Sequence, residues 1–322
     1  MPEAGGSAGE PSQQPAEGAE APGSAAREGF GERARAAIAE HGPLCAGIDA
    51  HPSLLQAWGL PATPAGLLRF SLRTVEALEG RVAAIKPQVA WYEAFGSAGM
   101  AALEQTLEAC REAGILAIAD AKRGDIGSTM EAYARTWLSD DSALAADAVT
   151  LSPYLGAGAL RPAFELAERT GRGTFVLALT SNPEGASVQH VGGGASVAAG
   201  VSAAVAQRNA RALPASTQVA HGSGAHCDAQ MTGSHGLVIG ATTGEAITRV
   251  GVDLPATGGL VLAPGYGAQG ATAQDLGRMF SQVRGRVLVN SSRGILAAGP
   301  EASGLREAAE AANAELRGAL GA

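Results

Sequence analysis

Eight short apolar runs, spaced along the chain and separated by longer amphipathic stretches, constrain the fold more than any other feature. They are LCAGID (44–49), VAAIK (82–86), ILAIAD (115–120), AVTLSP (148–153), TFVLALT (174–180), GLVIGA (236–241), GLVLAP (259–264) and RVLVNS (286–291). Near-continuous apolar runs of this length read as strands buried on both faces, the habit of parallel sheets. The stretches between them carry helix signals. Thr63 and Pro64 form an N-cap with proline at the first helical position, ahead of Leu68, Leu72, Val75 and Leu78 on one face. Leu103, Leu107 and Cys110 make a second stripe that ends near Gly114, and Thr272 caps a third bearing Leu276, Met279, Phe280 and Val283. Strand and helix in alternation give a parallel sheet, and eight such units fit a closed α/β TIM (β/α)8 barrel. An open doubly wound sheet is the structural alternative.

Two stretches break the rhythm. Residues 1–27 are Ala, Gly, Pro, Ser and Glu without periodicity and read as a disordered tail, leaving 28–322 as a single barrel domain. Residues 186–235, rich in Gly, Ala and Ser with GGG at 192–194, read as an insertion between strands five and six that holds a helix near 196–212. The net charge is −8, and Glu3, Glu10, Glu17 and Glu20 stand unbalanced in the first 26 residues, so the rest carries about −4 by subtraction. No basic cluster marks a nucleic-acid polymer as partner. No run reaches membrane-spanning length, and the N-terminus has neither the basic nor the apolar region of a signal peptide. Cys45, Cys110 and Cys227, odd in number and scattered, suggest no disulfide framework and fit a cytoplasmic protein.

Charge gathers where a parallel barrel keeps its chemistry, at the C-terminal ends of strands. Directly after the third run comes DAKRGDIGST (120–129), with four charges in ten residues. Charge at the end of a buried strand is costly unless it is used. The chain has 21 arginines and only two lysines, Lys86 and Lys122, both at strand ends. A lysine ammonium is compact and can release a proton, which a guanidinium effectively cannot. Asp120 and Lys122 are two apart and point the same way in extended chain, and Lys86 on an adjacent strand lies about 5 Å away. The expectation is an alternating cluster of ammonium and carboxylate groups. A structural ion-pair network is the plainer reading.

D-x-K-x-x-D-I-x-x-T, here Asp120, Lys122, Asp125, Ile126 and Thr129, resembles the signature of the orotidine 5′-monophosphate decarboxylases. CAGID, AIKPQ, LTSNPEG, APGYGAQG and NSSRGIL follow in that family's order, from about residue 40 to 300, and the chain is most similar to its longer bacterial subfamily. The resemblance implies conversion of orotidine 5′-monophosphate to UMP and CO2, the last step of de novo pyrimidine nucleotide synthesis, without cofactor or metal. It makes Lys122 the proton donor to C6, sets Asp120 against the departing carboxylate, and completes the charge network with Lys86 and Asp125. It gives Asp49 and Lys86 the ribose hydroxyls, Ser181 the pyrimidine edge, Gln269 a bridge from pyrimidine to phosphate, and Arg293, with Gly267 and Ser292 beside it, the phosphate. It also implies a homodimer with shared sites, in which Asp125 and Thr129 serve the neighbouring subunit. D-x-K-x-x-D alone is shared with metal-dependent sugar-phosphate decarboxylases and synthases, which resemble one another in carrying an acid at the second strand. Lys86 in AIKPQ favours the nucleotide enzyme.

The glycine loop Gly265-Tyr266-Gly267-Ala268-Gln269-Gly270 matches G-x-G-x-x-G, but a dinucleotide site wants an acid about 20 residues on, where Asn290, Ser291 and Ser292 stand. After a seventh barrel strand the loop reads as a phosphate site, completed by Arg293, which can grip two phosphate oxygens. His221, His226, Cys227 and His235 match no common zinc spacing. Trp58, Trp91 and Trp137 read as packing or loop cover, and Arg123 as a solvated or interface charge. Two rivals remain: a metal-dependent sugar-phosphate lyase on the same barrel, and a non-catalytic nucleotide-binding protein.

Overall fold

The computed structural model describes residues 27–212 and 231–321. The expected tail falls almost wholly outside them, as do His221, His226 and Cys227. The strands are β1 (Leu44–Ile48), β2 (Ala84–Pro87), β3 (Leu116–Arg123), β4 (Ala148–Leu151), β5 (Gly173–Leu179), β6 (Gly233–Ile239), β7 (Gly259–Pro264) and β8 (Val287–Ser291). They pair in sequence order and close into a barrel. Cys45 of β1 sits opposite both Ala84 of β2 and Asn290 of β8, all in parallel pairing, so the sheet has no open edge and the doubly wound alternative is excluded. Each run expected as a strand supplies one.

The helices start where their signals place them, but the face of Pro64–Leu78 that is buried holds Leu67 and Phe70 with Val75 and Leu78, leaving Leu68 and Leu72 half-buried, and Phe280 and Val283 lie beyond the helix Ala273–Met279. Thr63 Oγ1 accepts the Gly66 N–H at 3.2 Å at the start of the helix Pro64–Leu78. Leu103, Leu107 and Cys110 are buried on the helix Gly96–Glu112. Thr272 and Asp275 form a reciprocal capping box for Ala273–Met279. Within the stretch expected as an insertion, the helix Val197–Ala212 takes the place of the barrel's own helix between β5 and β6. β6 begins at Gly233, ahead of the run that predicted it, so His235 is a strand residue and not part of the expected insertion. Gly-Ser-His-Gly offers no β-branched side chain, and composition alone cannot mark it as strand.

The helix Phe30–His41 carried no clear sequence signal. It buries Phe30, Ala34 and Ile38 against inward residues of the strands, including Ile118, Phe175, Leu260 and Leu288. The Phe30 and Phe175 rings meet edge to face at 5.8 Å. This apolar plug closes the N-terminal end of the barrel and leaves the C-terminal end for polar groups. A larger apolar layer lies between the outer faces of the strands and the surrounding helices. Trp58 and Trp137 are buried in it, and Trp58 Nε1 donates to the Leu296 carbonyl at 2.9 Å. No helix of the described residues is long and apolar enough to cross a membrane.

Candidate active site

At the C-terminal end of the barrel a cavity of about 1010 Å³ is lined from the ends of all eight strands and the loops that follow them. Lys86, Asp120 and Lys122 form one wall. Lys86 Nζ lies 2.6 Å from Asp120 Oδ2, and Lys122 Nζ lies 2.6 Å from Asp120 Oδ1. Gln88 donates to Oδ2 at 3.1 Å and Thr150 Oγ1 to Oδ1 at 2.9 Å. The side chains of Lys86 and Asp120 are 5% and 9% exposed, whereas that of Lys122 is 44% exposed. Lys122 is thus the ammonium that faces the cavity, and Lys86 is fixed beneath it.

Burial opposes the charge on Asp120, yet the Lys86 and Lys122 ammonium groups and their hydrogen bonds outweigh it and hold the carboxyl well below the usual carboxylate range. Burial likewise opposes the charge on Lys86, but Asp120 and Asp49 outweigh it and raise the ammonium above its ordinary value. Asp120 and Lys86 are therefore both ionised at neutral pH. Cys45 lies close by in β1, and burial pushes its thiol up to about 12, which makes it inert packing.

Asp120 and Lys122 share the cavity, but not through plain extended geometry. Pairing of β3 with β4 passes from Ala119↔Val149 to Arg123↔Leu151, a bulge that spans both residues. Inside it Lys122 has φ +48°, the one non-glycine residue with positive φ among those described. That conformation costs an ordinary residue about 1–2 kcal/mol.

The other walls carry the remaining groups. Asp49 follows β1, Ser181 follows β5, Gln269 lies in the loop after β7, and Ser292 and Arg293 follow β8; all five line the cavity. The Arg293 guanidinium makes no hydrogen bond or ion pair with any described residue, so its donors are free for an anion. Ser181 Oγ is buried without a partner. It has room because residue 240 is glycine: a Cβ there would collide with the Ser181 side chain. Gly265, at φ +114°, permits both the turn and the close approach of Gln269 Oε1, which a Cβ would meet at 2.8 Å.

Asp125, Thr129 and Gly267 do not line this cavity. Asp125 Oδ1 accepts the Ile126 N–H at 2.8 Å, and Thr129 lies on the outer surface of the helix Gly127–Leu138. Gly267 donates its N–H to the Ala271 carbonyl at 3.0 Å inside its own loop. Arg123 is not simply solvated: it pairs with Glu93 and stands over the Tyr133 ring. Gln88, Thr150 and Trp91 are cavity residues that the sequence reading did not single out as site residues. Thr150 lies inside an apolar run, where nothing sets a threonine apart from any other β-branched strand residue.

Fold and cavity together define a (β/α)8-barrel enzyme with its chemistry at the C-terminal ends of the strands. The model of the orotidine 5′-phosphate decarboxylase / HUMPS family matches residues 42–308. An orotidine 5′-phosphate decarboxylase of Salinispora arenicola is 51% identical over 91% of this chain and 99% of its own length. One of Streptomyces coelicolor is 50% identical over the same shares. A crystal structure from Streptomyces avermitilis superposes with a TM-score of 0.81 at 47% identity, covering 92% of this chain and 98% of the other. The chain belongs to the orotidine 5′-phosphate decarboxylase / HUMPS family.

Proposed function

We infer that the chain decarboxylates orotidine 5′-monophosphate to UMP and CO2, the closing step of pyrimidine nucleotide synthesis, in the cavity described above. The observation that carries the reading is the Lys86–Asp120–Lys122 array, with Asp120 buried and ionised and Lys122 turned to the cavity. Loss of CO2 from C6 leaves an sp2 carbanion whose lone pair cannot delocalise into the ring. What can stabilise it is fixed charge at the place where charge develops. The Lys122 ammonium is that charge, and it delivers the proton to C6 as the carbanion forms. Asp120, fixed by four donors, faces the substrate carboxylate, and their repulsion is relieved as CO2 leaves.

Binding falls mainly to the other walls. Arg293 takes the phosphate, with Gln269 between phosphate and pyrimidine, Ser181 Oγ on the pyrimidine edge, and Asp49 and Lys86 on the ribose. The unpartnered Arg293 guanidinium and Ser181 hydroxyl support these roles, since both have hydrogen-bonding capacity left for a ligand. Asp125 and Thr129 act in the neighbouring subunit's site. Their place outside their own cavity supports this, as do Ile126 at 63%, Tyr154 at 80% and Leu155 at 53% exposure on adjoining loops. The reaction takes place in the cytoplasm, in keeping with the free buried thiols of Cys45 and Cys110.

Loss of orotidine 5′-monophosphate absorbance on adding the protein is the direct test. Activity that persists in EDTA is expected, and activity that EDTA abolishes would turn the reading toward a metal-dependent sugar-phosphate lyase. UMP binding with no turnover would leave only a nucleotide-binding protein.

A further inference from the structure

Lys122 owes its position to a strained bulge, and two side chains hold that bulge. The peptide group between Ala121 and Lys122 sets the unusual φ, and each of its polar atoms meets a side chain. Arg123 Nη1 donates to the Ala121 carbonyl at 2.8 Å, and Thr150 Oγ1 accepts the Lys122 N–H at 2.9 Å. The Thr150 hydroxyl then donates its own proton to Asp120 Oδ1, the oxygen that also receives Lys122 Nζ. One hydroxyl therefore fixes both the backbone that aims the lysine and the carboxylate that anchors its ammonium. At 1% exposure Thr150 forms the cavity wall beneath the array, with its hydroxyl committed to the bulge and to Asp120. Arg123 is itself anchored, by Glu93, by the Tyr133 ring at 5.8 Å, and through its carbonyl, which accepts the Ser152 N–H at 2.8 Å.

We propose that Thr150 and Arg123 are positioning residues that set where the Lys122 ammonium stands, and thereby the rate of proton delivery to C6. This rests on the reading of Lys122 as proton donor. A site that must hold its groups within fractions of an ångström needs its supports to be rigid, and a displacement of about 1 Å costs on the order of 100-fold in rate. Phosphate and pyrimidine contacts lie on other walls, and the ribose residues Asp49 and Lys86 come from β1 and β2, so none of them belongs to the bulge.

The test compares Thr150→Val, which keeps the shape and deletes the hydroxyl, with Thr150→Ser, which keeps the hydroxyl. Arg123→Met, which keeps the stem and deletes both donors, is an independent second variant and carries the test should Thr150→Val lose its melting transition. Thr150→Val is expected to lower kcat by roughly 10- to 100-fold, with the Kd for UMP by calorimetry essentially that of the unaltered protein and with Thr150→Ser recovering most of the rate. Because the chain has only two lysines, labelling lysine with 13C at Cε gives two side-chain signals, and Lys122→Arg assigns them by deleting one. The Lys122 signal is expected to move toward that of free lysine in Arg123→Met while the Lys86 signal stays. Unaltered kcat in Thr150→Val with an unmoved Lys122 signal would overturn the proposal. So would equal losses in kcat and UMP affinity that Thr150→Ser shares. Lys122→Arg, assayed alongside, separates the two readings: full turnover there removes the proton-donor role itself. An inactive Lys122→Arg beside a fully active Thr150→Val removes only the positioning role.

Discussion

Each oxygen of Asp120 accepts two hydrogen bonds, from Lys86 and Gln88 on one side and from Lys122 and Thr150 on the other. Its folded pKa is depressed, so the stability it contributes is present above about pH 4 and is lost as pH falls through the lower folded value. The Lys86 pKa is raised, so its contribution is present below about pH 10 and is lost as pH rises through the higher folded value. Between those limits the pair does not titrate. In the proposed mechanism Lys122 is the member that chemistry consumes and restores. Lys122→Ala should abolish decarboxylation while UMP still binds, because the ribose and phosphate contacts remain. Lys122→Arg should not rescue it, because a guanidinium is larger and too weak an acid. A Lys122→Arg enzyme with near-normal turnover would remove the proton-donor role. In the proposed site Arg293 holds the phosphate at a distance from C6, yet remote binding energy lowers the barrier too. Arg293→Ala should cut kcat/KM for the nucleotide by about 2–3 kcal/mol, the worth of a lost charged hydrogen-bond pair. Decarboxylation of the phosphate-free nucleoside should hardly change, and equal losses on both substrates would show that Arg293 does not hold the phosphate. The array was legible in the sequence because strand ends and lysine scarcity both pointed to it. Thr150 was not, because a threonine inside an apolar run is indistinguishable from a β-branched strand residue until its partner is known.

Between β6 and its covering helices lies a second buried polar group, unrelated to the chemistry. His235 is fully buried; its Nδ1 is 3.0 Å from Thr174 Oγ1 and its Nε2 is 3.0 Å from Glu168 Oε1. Glu168, on the helix Arg161–Thr170, also takes both Nε and Nη2 of Arg208, on the helix Val197–Ala212. Asn209 beside it donates to the carbonyls of His235 and Thr257 at 2.7 Å each and accepts the His235 N–H at 3.1 Å. These bonds fasten two helices to one strand. Burial keeps the His235 pKa below that of a free imidazole, although Glu168 pulls the other way. The unfolded chain therefore takes up a proton first as pH falls below about 6.5, and stability present above that value is lost toward the lower folded pKa. The melting free energy should fall between pH 7 and 5 by at most about 1.4 kcal/mol per pH unit from this residue. His235→Gln should flatten that part of the curve, and an unchanged slope would place the titration elsewhere. At this scale the sequence was readable wherever a helix had a cap, as at Thr63 and Thr272. It was silent at Phe30–His41, whose apolar face is only three residues wide, and at the bulge in β3, because a register shift depends on the partner strand and leaves no trace in the local pattern.

Seen as a whole, the molecule spends half of the DAKRGDIGST segment on its own cavity and sends the other half outward. Asp120 and Lys122 line the cavity, while Asp125 and Thr129 lie beyond it, flanked by the exposed Ile126 and, on the next loop, Tyr154 and Leu155. Apolar side chains beside outward polar ones of a catalytic motif suit a two-fold contact in which each chain completes the other's site. Mixing two inactive variants tests this. Homodimers of Lys122→Ala and of Asp125→Ala should both be nearly inactive. Random reassociation makes about half of the dimers mixed. If Asp125 serves the neighbouring chain, a mixed dimer has one site with both lesions and one with neither. One intact site in every mixed dimer amounts to about a quarter of all sites, so the mixture should regain roughly a quarter of the unaltered activity. If Asp125 serves its own chain, every site keeps one lesion and mixing restores nothing. Activity that stays at the level of the two parents, with mixed dimers confirmed by native mass spectrometry, would rule out the shared site.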